Sequence, residues 1–145
     1  MNLKIGLLNG PNLNLLGTRE IDIYGKFTLD DVYNRLVESA GKEHEIIAFQ
    51  SNNEGELINF IQLSQDKGIK YIIFNPGAYT HTSVALRDAI SSVDTKVIEV
   101  HITNVYKREE FRQKFLIAPV CIGQISGFGI NSYELALYHI LKEVK

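Results

Sequence analysis

The sequence predicts an α/β fold in which one parallel β-sheet is covered by helices on both faces. The chain has 145 residues, enough for one domain with a real core, and 45% of them are hydrophobic. Five short runs rich in β-branched residues recur along it, and several are apolar at consecutive positions, as strands buried on both faces require. Helical patterns separate the runs. This alternation predicts a single doubly wound domain over residues 1–145.

The five predicted strands set the expected topology. A five-stranded parallel sheet with right-handed crossovers commonly takes the order 2-1-3-4-5, which is the flavodoxin-like arrangement. Ligands bind to such sheets at the carboxyl ends of the strands, where the strand order reverses, here between the first and third strands. We therefore expect the site in the loops that follow the strands. The predicted strands are residues 3–8, 45–49, 71–74, 96–100 and 120–125.

Helix signals lie between these strands. Thr28 and Asp31 are spaced as a capping box, and apolar residues continue at helical spacing until Gly41. Asn53 is a suitable N-cap for the second helix, which we expect to stop at Gly68. The predicted helices cover residues 28–40, 53–67, the segment that follows Thr80, 108–115 and 131–142.

Composition excludes several classes of function. Fifteen basic and 17 acidic side chains are interspersed and give a formal charge of −2, which argues against a nucleic-acid partner. No apolar run approaches the roughly 18–20 residues of a membrane span, and the first residues do not resemble a signal peptide, so we expect a cytoplasmic protein with no membrane partner. The lone Cys121 lies in an apolar run and is expected to be a small buried hydrophobe.

The loop after the first strand is long and polar. It contains Asn12, Arg19 and Tyr24 before the first long helix begins. A connection of about 20 residues in a compact domain is more often functional than structural. Any single asparagine here can equally serve a turn, because asparagine favours turns.

The segment after the third strand combines a turn with a helix start. Asn75 precedes a Pro-Gly turn, and His81 follows among hydroxyl side chains. Free backbone N–H groups at such a position suit an anionic or oxygen-rich ligand. Thr80 or Ser83 can instead simply cap the following helix.

The fourth strand carries an ionisable pair in an otherwise apolar run. Glu99 and His101 are two residues apart and so project from the same face. A hydrogen bond between them would fix the imidazole tautomer and leave the other ring nitrogen as a general acid, although a purely structural pair is the alternative. Ile102 and Thr103 then leave the strand and offer backbone donors.

Together, the strand ends predict a cationic crevice. Arg108 and Arg112 are four residues apart in the predicted fourth helix and would point the same way, unless they form a solvated face. The crevice has no carboxylate cluster for a metal, no Ser–His–Asp arrangement and no lysine suited to a Schiff base. Proton transfer on a small polyhydroxy anion, without a cofactor, is the chemistry that remains. The side chains expected there are Asn12, Arg19, Tyr24, Asn75, His81, His101, Arg108 and Arg112.

Six blocks of sequence carry a resemblance to a known family. Residues 8–19, LNGPNLNLLGTR, and 75–83, NPGAYTHTS, are the most specific, because they fix many non-glycine residues in a row. All six blocks occur in the order in which one family has them, and the chain resembles that family, the type II 3-dehydroquinate dehydratases, over nearly its whole length. The shorter blocks are residues 23–25, 50–55, 99–109 and 123–129.

The resemblance implies a reaction of the shikimate pathway. Water would be eliminated reversibly, with anti geometry, from 3-dehydroquinate to give 3-dehydroshikimate through an enolate, without a metal or an imine. Tyr24 would be the base, and Arg19 and Arg108 would favour its ionised form. Asn12 would hold a water that stabilises the enolate oxygen.

The resemblance also implies which residues protonate the leaving hydroxyl and which bind the substrate carboxylate. His101, oriented by Glu99, would protonate the departing hydroxyl. The substrate carboxylate would accept hydrogen bonds from the amides of Ile102 and Thr103 and from Asn75.

Two further implications concern the ring hydroxyls and the assembly. His81 and Arg112 would bind the ring hydroxyls. Asp88 matches an aspartate that reaches the site from a neighbouring subunit, and the family forms homododecamers built as tetramers of trimers. The segment 113–115, Gln-Lys-Phe, departs from a common His-His-Ser, and we expect this difference to affect subunit contacts and surface charge more than chemistry.

Other functions of this fold class fit the residues less well. A module for a nucleotide or flavin phosphate needs a small, hydroxyl-rich first loop, whereas this one contains Pro11 and several leucines. A phosphoacceptor signalling domain needs acidic residues where the chain has Asn9 and Asn75. An inactive scaffold would not need the complete set of Asn12, Arg19, Tyr24 and His101.

Overall fold

A five-stranded parallel sheet forms the centre of the computed structural model, which describes residues 2–18 and 20–144. The strand order is β2-β1-β3-β4-β5, so the predicted flavodoxin-like order is confirmed. β1 and β3 are central and adjacent, and they leave the switch point between them at their carboxyl ends. The strands are β1 (Lys4–Asn9), β2 (Glu45–Gln50), β3 (Ile69–Asn75), β4 (Lys96–His101) and β5 (Gly123–Ser126).

Five α-helices accompany the sheet in the part of the chain that is described. The capping box at the start of the second forms as predicted: the Asp31 N–H donates to the Thr28 hydroxyl at 3.2 Å, and the Thr28 N–H donates to the Asp31 carboxylate at 2.9 Å. The helices are α1 (Ile21–Tyr24), α2 (Leu29–Ala40), α3 (Glu54–Leu63), α4 (Val84–Ser91) and α5 (Asn131–Glu143). None of these helices is long and apolar enough to cross a membrane.

The helices cover both faces of the sheet and create two apolar cores. α2 and α5 pack on one face, and α3 and α4 pack on the other. Leu7 belongs to the first core and Leu8 to the second, and both are almost completely buried. Consecutive apolar residues in β1 are therefore explained by burial on both faces of a parallel sheet.

The α-helix predicted for residues 108–115 is wrong. Residues 108–115 contain only a short 3-10 turn, Glu110–Gln113, and another 3-10 turn, Val105–Lys107, ends just before Arg108, which is extended. Phe111, the large apolar residue in the turn Glu110–Gln113, is 65% exposed. A short α-helix is unstable here because it would have no buried apolar stripe to stabilise it.

Other element boundaries also differ from the sequence predictions. α3 ends at Leu63, before the predicted end, because the Ser64 hydroxyl bonds back to the Ile61 carbonyl at 2.6 Å and the Ser64 carbonyl accepts from the N–H of Ile69, where β3 begins. A 3-10 turn, Gly77–His81, precedes α4. β5 is shorter than predicted, because Val120 lies in a further 3-10 turn.

Candidate active site

A cavity of about 110 Å³ opens at the carboxyl ends of the central strands, where the strand order predicts a ligand. The last residues of β3 and β4 and the segments that follow β1, β3 and β4 form its wall, together with Tyr24 from α1. A larger open cleft of about 1270 Å³ adjoins it and shares Tyr24, Ile102, Thr103 and Arg108. The predicted site residues in the wall of the smaller cavity are Asn12, Tyr24, Asn75, His81, His101, Ile102, Thr103, Arg108 and Arg112.

Two predicted site residues among those described, Glu99 and Asp88, do not line this cavity. Arg19 lies outside the described residues. Glu99 is completely buried behind His101. Asp88 lies on an exposed part of α4, away from the cavity of its own chain.

The Glu99–His101 pair has a third member. The Nε2 atom of His101 lies 2.6 Å from Oε2 of Glu99, and the Thr80 hydroxyl donates to the same oxygen at 2.5 Å. Because Nε2 is engaged with Glu99, Nδ1 is the imidazole nitrogen left for another partner. Ser83 caps α4 by accepting from the Leu86 N–H, so the structure separates the roles of Thr80 and Ser83 that the sequence left open.

Tyr24 and Arg108 form a second pair, although they are 84 residues apart. The guanidinium Nη1 donates to the phenol oxygen at 2.7 Å, and the guanidinium carbon lies 5.4 Å from the centre of the ring. The Arg108 side chain is largely buried. A fixed positive charge therefore faces the phenol oxygen in a partly desolvated environment.

Arg112 brings a second guanidinium to the cavity. Its Nε lies 3.1 Å from a Glu109 carboxylate oxygen, and Nε of Arg108 lies 3.8 Å from the same oxygen. The pKa of Glu109 is held below its ordinary value, first by its own backbone N–H and then by these two cations. The prediction that Arg108 and Arg112 share a helix is wrong, but both side chains still line the cavity.

His81 is set up as a neutral imidazole. Its Nδ1 lies 2.7 Å from the Lys114 carbonyl oxygen, which only accepts, so Nδ1 carries the proton. Burial lowers the pKa of His81, although the hydrogen bond to Lys114 acts in the opposite direction. Near pH 7 the Nε2 atom is therefore available as an acceptor for a ligand hydroxyl.

Phe115 is a site residue that the sequence did not reveal. Its ring centre lies 5.3 Å from the imidazole of His81 and 5.6 Å from that of His101. We expected the departure at residues 113–115 to affect the surface, but Phe115 packs against two predicted site histidines. Its position depends on the 3-10 turns before it, which no sequence pattern indicated.

Two asparagines in the wall are held in defined conformations. The Asn12 backbone is left-handed, with φ of 70°, and its N–H donates to the Asn52 side chain at 2.9 Å. Asn75 is buried, and its side chain both donates to the Tyr133 hydroxyl and accepts from the Gly77 N–H. Both asparagines are therefore held by hydrogen bonds to other segments of the chain.

The described residues contain neither a cluster of metal-binding side chains nor a reactive thiol. Residues 2–18 and 20–144 contain no group of three or more His, Cys, Asp or Glu side chains able to hold a metal ion. Burial raises the pKa of Cys121 to about 12, so this thiol stays protonated near pH 7. Cys121 is partly buried, close to the environment expected from the sequence.

Comparison with known proteins decides the family. The sequence model described as "Dehydroquinase class II" matches residues 3–141. The chain belongs to this family. A 3-dehydroquinate dehydratase of Caldicellulosiruptor saccharolyticus is 56% identical over 146 residues, and the match covers 97% of each chain.

Solved structures of class II dehydroquinases have the same fold. The type II dehydroquinase of Butyrivibrio crossotus superposes with a TM-score of 0.93 at 46% identity, covering 97% of this chain and 98% of that one. The type II dehydroquinase of Propionibacterium acnes has a TM-score of 0.90 at 36% identity, covering 96% of each. The resemblance stated from sequence blocks is confirmed, and so is the predicted enzyme class, a hydro-lyase of the dehydroquinase type.

Proposed function

We propose that this class II dehydroquinase is a 3-dehydroquinate dehydratase of the shikimate pathway that uses Tyr24 as base and His101 as acid. The observation that carries the proposal is that one cavity is lined both by a phenol paired with a guanidinium and by an imidazole paired with a buried carboxylate. A dehydration needs these two functions: one group removes a proton from carbon, and another delivers a proton to the leaving hydroxyl.

Tyr24 removes the proton from the carbon next to the substrate ketone. Its phenolate oxygen forms the new O–H bond, and the electron pair of the broken C–H bond moves toward the ketone oxygen to give the enolate. The Arg108 guanidinium stabilises negative charge at the phenol oxygen, and Arg19 is proposed to do the same. A water held by Asn12 stabilises the enolate oxygen.

His101 completes the elimination. The enolate re-forms the ketone as the C–O bond to the hydroxyl breaks, and His101 supplies the proton that turns the departing group into water. Glu99 stabilises the positively charged imidazole, because its buried carboxylate lies 2.6 Å from Nε2. The reaction is redox-neutral, so it needs no oxidant or reductant, and we propose that it also proceeds without a metal or an imine.

The remaining wall residues fit a small hydroxylated carboxylate. The backbone amides of Ile102 and Thr103, together with the Asn75 amide, bind the substrate carboxylate. His81 offers an acceptor nitrogen and Arg112 offers donors for the ring hydroxyls. The two arginines of the cavity also favour an anion over a neutral sugar-like molecule.

Asp88 and the assembly belong to the same proposal. The exposed position of Asp88, away from the cavity of its own chain, supports a role in the site of a neighbouring subunit. A homododecamer built from trimers would bring such a residue into place. The cytoplasmic location stays a prediction.

The direct test is to add 3-dehydroquinate to the purified protein and follow the ultraviolet absorbance of the conjugated enone product. We expect absorbance to rise at a rate proportional to enzyme concentration, and to do so equally after treatment with a chelator or with borohydride in the presence of substrate. A Tyr24→Phe protein prepared in the same way controls for contaminating activity. No absorbance change would contradict the proposed substrate, and inactivation by either treatment would contradict the mechanism.

A further inference from the structure

The Tyr133 hydroxyl is buried between the ends of the two central strands. It donates to Oδ1 of Asn9 at 2.6 Å and accepts from Nδ2 of Asn75 at 2.9 Å. Asn9 and Asn75 are register partners at the carboxyl ends of β1 and β3, where the strand order reverses. A side chain from α5 therefore joins the two strands at the switch point, next to the cavity that Asn75 lines.

The direction of these hydrogen bonds can be assigned from one backbone group. The Gly77 N–H only donates, and it lies 3.1 Å from the Asn75 side chain, so the Asn75 atom facing it is the carbonyl oxygen. The other end of the amide, Nδ2, then faces Tyr133. Since Nδ2 only donates, the Tyr133 hydroxyl accepts from it, and the hydroxyl proton goes to Asn9.

The alternative orientation of the Asn75 amide is disfavoured at two points. A rotated amide would place its NH₂ against the Gly77 N–H, which also donates. The Tyr133 hydroxyl would then have to donate to Asn75, and Asn9 would lose the donor that its buried oxygen now has. Burial raises the pKa of Tyr133, so the hydroxyl keeps its proton over the ordinary pH range.

We infer that Tyr133 is a positioning residue that fixes the Asn75 amide so that it presents an N–H donor, and not a carbonyl, to an acceptor oxygen in the cavity. One Nδ2 hydrogen is taken by Tyr133, and the second is the one that the cavity wall offers to a ligand. That the acceptor is the substrate carboxylate rests on the proposed function. The orientation itself rests only on Gly77, Asn9 and Tyr133.

A double-mutant cycle tests the inference by activity. Tyr133→Phe should raise the KM for 3-dehydroquinate about tenfold, the effect of weakening one hydrogen bond to a charged group, and change kcat less than about threefold. In an Asn75→Ala background the same substitution should leave KM unchanged, because the group through which it acts is gone. An equal rise in KM in both backgrounds would overturn the inference, as would an unchanged KM in the single variant.

Tyr71→Phe is the matched control. Tyr71 is also a nearly buried tyrosine of the same core, and its hydroxyl donates to Glu143 at 2.9 Å, away from the cavity. Loss of the Tyr71 hydroxyl should reduce the stability of the protein but leave the KM for 3-dehydroquinate unchanged. Should Tyr133→Phe fail to fold, Asn9→Ala provides a second variant: it frees the Tyr133 proton to donate to Asn75, so the amide can rotate and KM should rise.

A readout without substrate separates this inference from the proposed function. In ¹H–¹⁵N spectra of the wild-type protein, the Asn75 side-chain amide should give two well-separated protons, because one of them is hydrogen-bonded to Tyr133. Tyr133→Phe should shift this pair and bring the two signals closer, whereas Tyr71→Phe should not. Unchanged Asn75 signals in Tyr133→Phe would overturn the inference even if the enzyme is active. A wild-type protein inactive on 3-dehydroquinate would contradict only the proposed function.

Discussion

The role of the Tyr24 hydroxyl can be tested separately from that of its aromatic ring. Tyr24→Phe keeps the ring beneath the Arg108 guanidinium but removes the oxygen to which Nη1 donates. We expect turnover of 3-dehydroquinate to fall at least about 100-fold, as for loss of a general base. The Kd for the product 3-dehydroshikimate, measured by calorimetry, should stay within about threefold of the wild-type value, because other groups bind the carboxylate and hydroxyls.

Tyr138→Phe is a suitable control, because Tyr138 is exposed on α5 and does not line the cavity. It should have wild-type turnover. Near-wild-type turnover in Tyr24→Phe would instead rule out the phenol as the base. A parallel loss of turnover and product binding would assign Tyr24 to binding, not to proton transfer.

Single residues differ in how far sequence reveals their contacts. The Glu99–His101 pair is local, so the two-residue period of a strand is enough to predict it. The Thr80–Glu99 bond joins residues 19 apart, and the Asn75–Tyr133 bond joins residues 58 apart. Such contacts depend on how separate elements pack, and no spacing rule in one sequence encodes them.

The same limit applies to the secondary-structure elements. Long elements with a buried stripe, such as α2, were predicted because their periodicity extends over several turns. α1 has only four residues, too few to show a period, so the sequence predicts only a loop at this place. The sequence predicts a short helix over residues 108–115, whereas the structure has a 3-10 turn there because no apolar face is buried.

The capping box at the start of α2 should contribute measurably to the stability of the protein. Thr28→Ala removes the oxygen that accepts from the Asp31 N–H, so the first turn of α2 loses a cap directly after the loop that contains Tyr24. We expect the free energy of unfolding, measured in urea, to fall by about 1 kcal/mol. Thr28→Ser keeps the hydroxyl and should restore most of the loss. Equal stability of the alanine variant and the wild type would mean that the capping bond contributes nothing.

For the whole molecule, net charge and local charge have opposite signs. The chain carries a formal charge of −2, yet Arg108 and Arg112 both line the cavity. Glu109 offsets part of this charge, but it is half-exposed and is shared by both guanidinium groups. A small anion approaching the cavity therefore meets a local positive field that the composition of the chain does not indicate.

The last prediction concerns the site as part of an assembly. Asp88 is exposed on α4 and does not line the cavity of its own chain, whereas Tyr24 does. If the proposed exchange between subunits occurs, Asp88→Asn and Tyr24→Phe proteins should each be nearly inactive alone. Co-expressed at equal levels, they should regain activity, because a chain with intact Tyr24 can receive Asp88 from its neighbour. In a cyclic assembly with random mixing, about a quarter of the sites should be complete.

The control for this experiment is an Asp88→Asn chain co-expressed with a chain that carries both substitutions. Every neighbour then lacks Asp88, so no site is complete and no activity should return. Recovery is measured as turnover per subunit in hybrids purified through two different tags. Hybrids that stay inactive, although they assemble like the wild type, would show that Asp88 does not act across subunits. Recovery to about a quarter of wild-type turnover would mean that each active site needs residues from two chains.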